Sequence, residues 1–222
     1  MLQASDLLIA DFPSVFPTDS LHKAVDIFID HHLQHIPIVD NARVLMGMLP
    51  IDMIIDHTNK ATTIEECKED WIYTQVTLHQ HLLSIFELTS RYELSAVPVT
   101  DVNRTYLGVI PTYRLLSKFS QFYSISTPGG IIVLRVGVRD LDLSEIARII
   151  ESNNAKILLL YMDAIDGGSF LEVTIKVNTL DLRFIIATLE RYEYHVPFYQ
   201  PSDSQEDPLK ERYDLLMKMF DI

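Results

Sequence analysis

The chain has 222 residues, 48% apolar and 22% charged, with ten Phe, ten Tyr and a formal net charge of −13; this composition fills ordinary cores, excludes a disordered chain and favours two domains over one. A pI near 4.9 leaves no basic footprint for phosphate backbones or anionic membranes, so neither nucleic acid nor a membrane is an expected partner. Cys67 is the single cysteine, which excludes an intrachain disulfide and a thiolate metal cluster; without a basic n-region before Asp6 and Asp11, or an apolar run of about eighteen residues, a reducing cytoplasm is the expected compartment.

In chain order, Asp19 or Ser20 caps a helix whose residues Leu21, Ala24, Val25, Ile27 and Phe28 share one face. Pro37 marks a strand entry, because a proline disfavours helix in the residue before it. Asp40-Asn41 is turn chemistry, Val44 to Leu49 a second strand, and Ile51 to His57 a short helix opened by Pro50. The same order returns as a helix over Leu82–Tyr92, strands over Val97–Thr100 and Tyr106–Ile110, and a helix over Thr112–Phe119.

The recurrence is a true repeat. Ile36-Pro37-Ile38-Val39-Asp40 returns as Val97-Pro98-Val99-Thr100-Asp101, and Met46-Gly47-Met48-Leu49-Pro50 as Leu107-Gly108-Val109-Ile110-Pro111. All matched positions are offset by 61 residues without a gap, so the first half is two copies of one supersecondary unit.

After Thr127-Pro128-Gly129-Gly130, a breaker cluster that reads as a linker, the pattern changes. Ile131–Val138 reads as a strand and Leu143–Asn153 as a helix with Leu143, Ile146, Ala147 and Ile150 on one stripe. Ile157–Met162 reads as a buried strand, Asp166-Gly167-Gly168 as a turn and Phe170–Val177 as a strand. A helix over Leu180–Tyr192 and a short strand near His195–Tyr199 follow. The order βαββαβ is a split βαβ, ferredoxin-like plan. In the tail, Gln200–Pro208 has linker composition, and Tyr213, Leu216, Met217 and Phe220 fall at helical spacing. This amphipathic end is expected to dock on its own chain or on a neighbour, its own chain first.

The seven glycines form no G-x-G-x-x-G turn, P-loop or G-x-S-x-G elbow, and no Ser, His and Asp set stands out, so no enzyme is expected. His31 and His35 lie at i and i+4, with His32 between and Asp30 nearby. That spacing puts two imidazoles on one helix face. Histidine equally suits the negative end of a helix dipole, and H-E-x-x-H is absent, so no metal is expected; His79 and His81 read the same way. Glu65-Glu66 and Glu69-Asp70 form a solvated connector, and Trp71 reads as core.

The duplicated motifs, with Ala4-Ser5-Asp6-Leu7-Leu8 and Phe12-Pro13-Ser14-Val15 before them, resemble a pair of CBS domains, a Bateman module. The segment Val138-Arg139-Asp140-Leu141 running into Leu143–Ile150, then Asn153–Leu158, resembles an ACT domain. The whole chain is similar to bacterial stand-alone CBS proteins labelled acetoin-utilisation accessory proteins. The resemblance implies an α/β (α+β) protein with CBS repeats at 1–62 and 63–126, an ACT-like domain at 127–200, and an acidic linker with an amphipathic helix at 201–222. It implies a homodimer that senses an adenine nucleotide or related effector in clefts between the repeats, with no fixed cofactor. Candidate ligand-binding positions are Val15, Ile36, Pro37, Pro50, Met53, Val97, Pro98, Pro111, Thr112 and Arg114. Nucleotide-binding repeats place Thr or Ser after the glycine and two apolar residues, then an Asp three residues on. Here Pro50 and Pro111 take the first position and Met53 and Arg114 the second, so the ribose clamp is not reproduced. The ACT family's D-x-P-G turn is likewise replaced, by Leu141 or Asp142 without proline. The alternative expectation is a dimeric interaction scaffold with degenerate pockets that binds a regulated protein partner.

Overall fold

A computed structural model describes residues 2–32, 34–52 and 63–202. The chain divides into two compact units, Met1–Phe119 and Ser120–Ile222.

In the first unit, α1 (Leu21–His31) starts where Ser20 Oγ accepts from the Lys23 N–H at 3.4 Å, and Asp19 accepts from the Phe16 N–H at 2.8 Å. The Ser20 hydroxyl satisfies a donor that the helix start leaves orphaned, and Asp19 closes the turn ahead of it. Leu21, Ala24 and Phe28 form its buried stripe. Strands β2 (His35–Val39) and β3 (Leu45–Pro50) pair antiparallel. In their turn Asp40 Oδ1 accepts from the N–H groups of Ala42 and Val44 at 2.9 and 2.8 Å. The second repeat has the same parts: β4 (Val76–Thr77), α2 (Leu82–Arg91), β5 (Ala96–Thr100), β6 (Tyr106–Pro111) and α3 (Thr112–Ser120). Its turn is closed by Asp101, which accepts from Asn103 and Thr105 at 2.8 Å each. Ile51 and Asp52 are helical; the rest of the expected helix to His57, Met53 included, lies outside the described residues, as does the tail helix.

The repeats exchange their lead-in segments. Strand β1 (Ile9–Ala10), ahead of the first repeat, pairs with β6 of the second, with Ile9 opposite Val109. Ile72, ahead of the second repeat, bridges Met48 of the first. The hairpin turns meet through reciprocal bonds at equivalent positions: the Leu45 N–H donates to Arg104 O at 3.0 Å and the Tyr106 N–H to Arg43 O at 2.8 Å. Each repeat thus completes its sheet with backbone borrowed from the other, so their relative pose is written into hydrogen bonds.

The second unit contains α4 (Tyr123–Ser126), β7 (Gly129–Gly137), α5 (Leu143–Ser152), β8 (Ile157–Ile165), β9 (Phe170–Val177), α6 (Arg183–Arg191) and β10 (His195–Ser202). The sheet order is β10-β7-β9-β8 with every ladder antiparallel, the split βαβ arrangement. Helix α5 is capped by Asp142, whose Oδ1 accepts from Ser144 and Glu145 at 2.9 and 3.1 Å. Ile146, Ile149 and Ile150 of α5 and Ile185 and Leu189 of α6 cluster with Ile132, Leu134, Val173 and Ile175 of the sheet.

Three expectations about this unit are corrected. Gly129 and Gly130 are not linker but the buried start of β7. A Cβ on Gly129 would lie 1.9 Å from Val177 O, so glycine serves close strand approach here and not a chain break. Strand β8 is not buried: it is the sheet edge, with Tyr161 55% and Met162 45% exposed. An apolar run on an edge strand has a neighbour on one side only. The last helix starts at Arg183 and not Leu180; Leu182 is buried ahead of it.

Among the described residues, no helix is long and apolar enough to cross a membrane.

Candidate functional site

The cavity of interest in the first unit, about 280 Å³, lies where the lead-in segment 9–13 passes the end of β6. Its walls are Ile9, Ala10, Asp11, Phe12 and Pro13 of the lead-in, His31 at the end of α1, and Pro111 and Tyr113 of the second repeat. Both repeats therefore contribute to one cavity.

The lead-in is fixed by backbone pairing. The Asp11 N–H donates to Leu107 O at 3.3 Å, and Asp11 turns through φ 53, a left-handed conformation that Asp tolerates better than most residues. Phe12 is buried and its carbonyl accepts from the Tyr106 hydroxyl at 3.1 Å. Burial pushes the Tyr106 phenol up, which keeps it a donor. The Phe12 ring meets His31 edge-on, with centroids 4.7 Å apart. The Asp11 carboxylate is largely exposed and pairs with Arg43 at 3.3 Å, a contact that solvent screens. The lining carries one carboxylate, one imidazole, one exposed phenol and no lysine or arginine. Such a wall offers rings for stacking and a charged acceptor for hydroxyl or amine donors, and the neighbouring Arg43 guanidinium is already engaged by Asp11.

A partly buried polar joint also ties the two repeats. The Ser95 N–H donates to His35 Nδ1 at 3.1 Å, so that nitrogen is unprotonated. Ser95 Oγ lies 3.2 Å from the same nitrogen and accepts from the Gln34 N–H at 2.8 Å. Burial pushes the His35 pKa down, partly opposed by Asp52.

The candidate residues are not all gathered at the cavity. Pro111 lines it. Val15, Ile36 and Val97 are fully buried, and Pro37 and Pro98 are buried in β2 and β5. Pro50 is half-buried opposite His35. Thr112 starts α3, its hydroxyl donating to Leu94 O at 2.7 Å and its N–H to Ser95 O at 2.9 Å. Arg114 donates to the carbonyls of Leu7 and Leu8 at 3.3 and 3.4 Å, so its guanidinium holds the N-terminal segment. Met53 lies outside the described residues. Asp11, Phe12 and Tyr113 escaped sequence reasoning, and His31 drew attention only for its spacing to His35; the signal for the lead-in was the resemblance of Phe12-Pro13-Ser14-Val15 to a repeat entry.

Helix α1 ends at His31 and the chain turns left-handed at His32, so His31 and His35 do not share a helix face. Among the described residues, no group of three or more His, Cys, Asp or Glu is placed to hold a metal.

Two further cavities are described. One of about 110 Å³, between 45–47, 73–75 and Arg104, is small for an organic ligand. The other, about 550 Å³ and open, lies in the second unit between 137–140 and 168–170. There Arg135 stacks on Phe170 at 4.9 Å and pairs with Asp166.

A CBS domain model matches residues 4–59. A curated homoserine O-acetyltransferase from Methanococcus vannielii is 21% identical over 119 residues, 52% of this chain and 24% of that protein; the chain spans about a quarter of its length. Among solved structures, a Vibrio cholerae protein provisionally named an acetoin utilization protein (AcuB) is 16% identical, covering 57% of this chain and 96% of that one, with a TM-score of 0.49. The CBS domain pair of protein MJ0100, in complex with 5′-methylthioadenosine and S-adenosyl-L-methionine, is 24% identical, covering 53% and 99%, with a TM-score of 0.45. The family match over the first repeat and the 61-residue duplication of its parts support a CBS domain pair in the first half of the chain.

Proposed function

We propose that the chain is a non-catalytic, cytoplasmic regulatory protein that senses a small adenosine-type effector between its CBS repeats and works as a homodimer. The observation that carries this reading is the cavity itself, walled by the lead-in of one repeat and the β6–α3 junction of the other. A ligand filling it touches both repeats and alters module pose only through its different affinity for the two poses. The second unit is read as an ACT-like partner module whose open cavity at 137–140 takes an amino-acid-like effector.

The absent ribose clamp and the lining without lysine or arginine narrow the ligand. Asp11 supplies the carboxylate for ribose hydroxyls from the lead-in side, and an uncharged or sulfonium-bearing adenosine fits better than a polyphosphate. In a thermal-shift panel, 5′-methylthioadenosine and S-adenosylmethionine are expected to stabilise the protein more than AMP, and AMP more than ATP. No stabilisation by any of them at millimolar concentration would refute the reading. Asp11→Asn keeps the left-handed turn and removes the charged acceptor; titration calorimetry is expected to show binding weakened about tenfold.

A second reading is favoured by one observation: Arg114 and Thr112 spend their donors on the chain's own carbonyls. On that reading the pockets are degenerate and the dimer is a scaffold for a regulated protein. A stoichiometric partner retained from native lysate without added ligand would select it.

A further inference from the structure

The second unit covers one face of its sheet with α5 and α6 and leaves the other largely open. Strand register puts Phe198, Val133, Thr174 and Tyr161 in one cross-strand row on the open face. Phe170 and Ile165 sit opposite each other farther along the same face. Their neighbours of the other parity, Ile132, Leu134, Val173 and Ile175, are the buried helix-facing core, which fixes the first set as outward. Phe198 is 50%, Tyr161 55% and Phe170 40% exposed. One corner is closed: Lys176 Nζ donates to Ile125 O of α4 at 2.6 Å. The aromatic row remains uncovered by described residues, and exposed apolar surface of this kind marks a contact site.

We infer that the occupant of this face is the chain's own C-terminal segment, 209–222. The described chain ends at Ser202 in β10, an edge strand of this same sheet, and 20 residues follow. Leu209, Tyr213, Leu216, Met217 and Phe220 make one apolar stripe at helical spacing. Twelve residues in helical form would be about 18 Å long, and the four strands span about 15 Å. The acidic stretch 203–208 reaches about 20 Å when extended, enough to carry the helix from the edge strand onto the face. Tethering holds the segment near the face at roughly millimolar effective concentration, ahead of any free partner. Nucleic acid is disfavoured as the occupant, because residues 127–222 carry a net charge of −6 and Glu172 and Asp163 lie across from each other. The inference rests on the sheet alone and not on the ligand reading.

Hydrogen exchange on the full-length chain tests it. Amides of 209–220 are expected to exchange at least about tenfold more slowly than in a free peptide, independently of protein concentration. Tyr161→Glu with Phe198→Glu, both at exposed positions, is expected to abolish that protection while β7 and β9 stay protected. Leu216→Glu with Phe220→Glu leaves the sheet untouched and is expected to raise oxidative labelling of Tyr161 and Phe198. Free-peptide exchange in the wild type, or protection that survives the charged face, overturns the proposal. Protection that disappears on dilution also overturns it, by assigning the face to a second copy. Labelling unchanged by the tail variant does the same.

Discussion

Replacing Gly108 by valine is expected to release the lead-in strand and abolish ligand binding, at a cost of about 4 kcal/mol or more in stability. Gly108 holds φ +147, and a Cβ there would lie 2.0 Å from Ile9 O and 2.9 Å from Leu8 Cδ1. A backbone carbonyl cannot rotate away as a side chain does. Relief requires β1 to leave β6, which opens the cavity that Ile9 to Pro13 line. The repeat supplies an internal control. At the equivalent Gly47 a Cβ would meet Trp71 Cβ at 3.3 Å and Ile72 O at 3.5 Å, a tight contact without a clash. Gly47→Val is therefore expected to cost less, about 1–3 kcal/mol, and urea unfolding of both variants measures the contrast. Equal effects would show that the two lead-ins are held alike, contrary to the geometry.

The second large effect is expected at His35. Its Nδ1 accepts the Ser95 N–H across the two repeats, which only the neutral ring can do. Burial lowers its pKa, with Asp52 as the opposing charge and Ser95 the polar contact. The unfolded chain then binds more protons than the folded one below the ordinary histidine range, so stability rises with pH. The joint's full contribution is present above about pH 6.5 and is lost as pH falls toward the depressed folded pKa. His35→Ala puts at this position the residue found at its repeat equivalent, Ala96. It leaves the Ser95 N–H without its acceptor and is expected to cost about 1–3 kcal/mol at pH 8. It should also flatten the dependence of the urea midpoint between pH 5 and 7. A variant as pH-sensitive as the wild type would remove His35 from this role.

Local chemistry made much of the fold legible. Asp40 and Asp101 close their turns with their own carboxylates, and Ser20 caps its helix, so both hairpins and the first helix start followed from residue type, whereas the Asp142 cap was not read. The duplication showed that one unit recurs. It did not show that the units trade lead-in strands, because that pairing joins Ile9 to Val109 and has no local signature. The site stayed hidden for the same reason. Asp11 and Phe12 face the cavity only because the lead-in crosses to the other repeat. Pattern transfer favoured Val15, Ile36 and Val97, which packing spends on the core. Gly129 and Gly130 misled in the opposite direction: a Pro-Gly-Gly cluster breaks structure unless close strand approach demands glycine, as the Val177 carbonyl does here.

An effector that bridges the two CBS repeats leaves a hydrogen-exchange footprint on both. With saturating 5′-methylthioadenosine on the full-length chain, exchange is expected to slow together at 9–13 and at 111–113, with 137–140 unchanged. Slowing confined to one of the two segments, slowing at 137–140 instead, or no footprint would contradict a bridging effector.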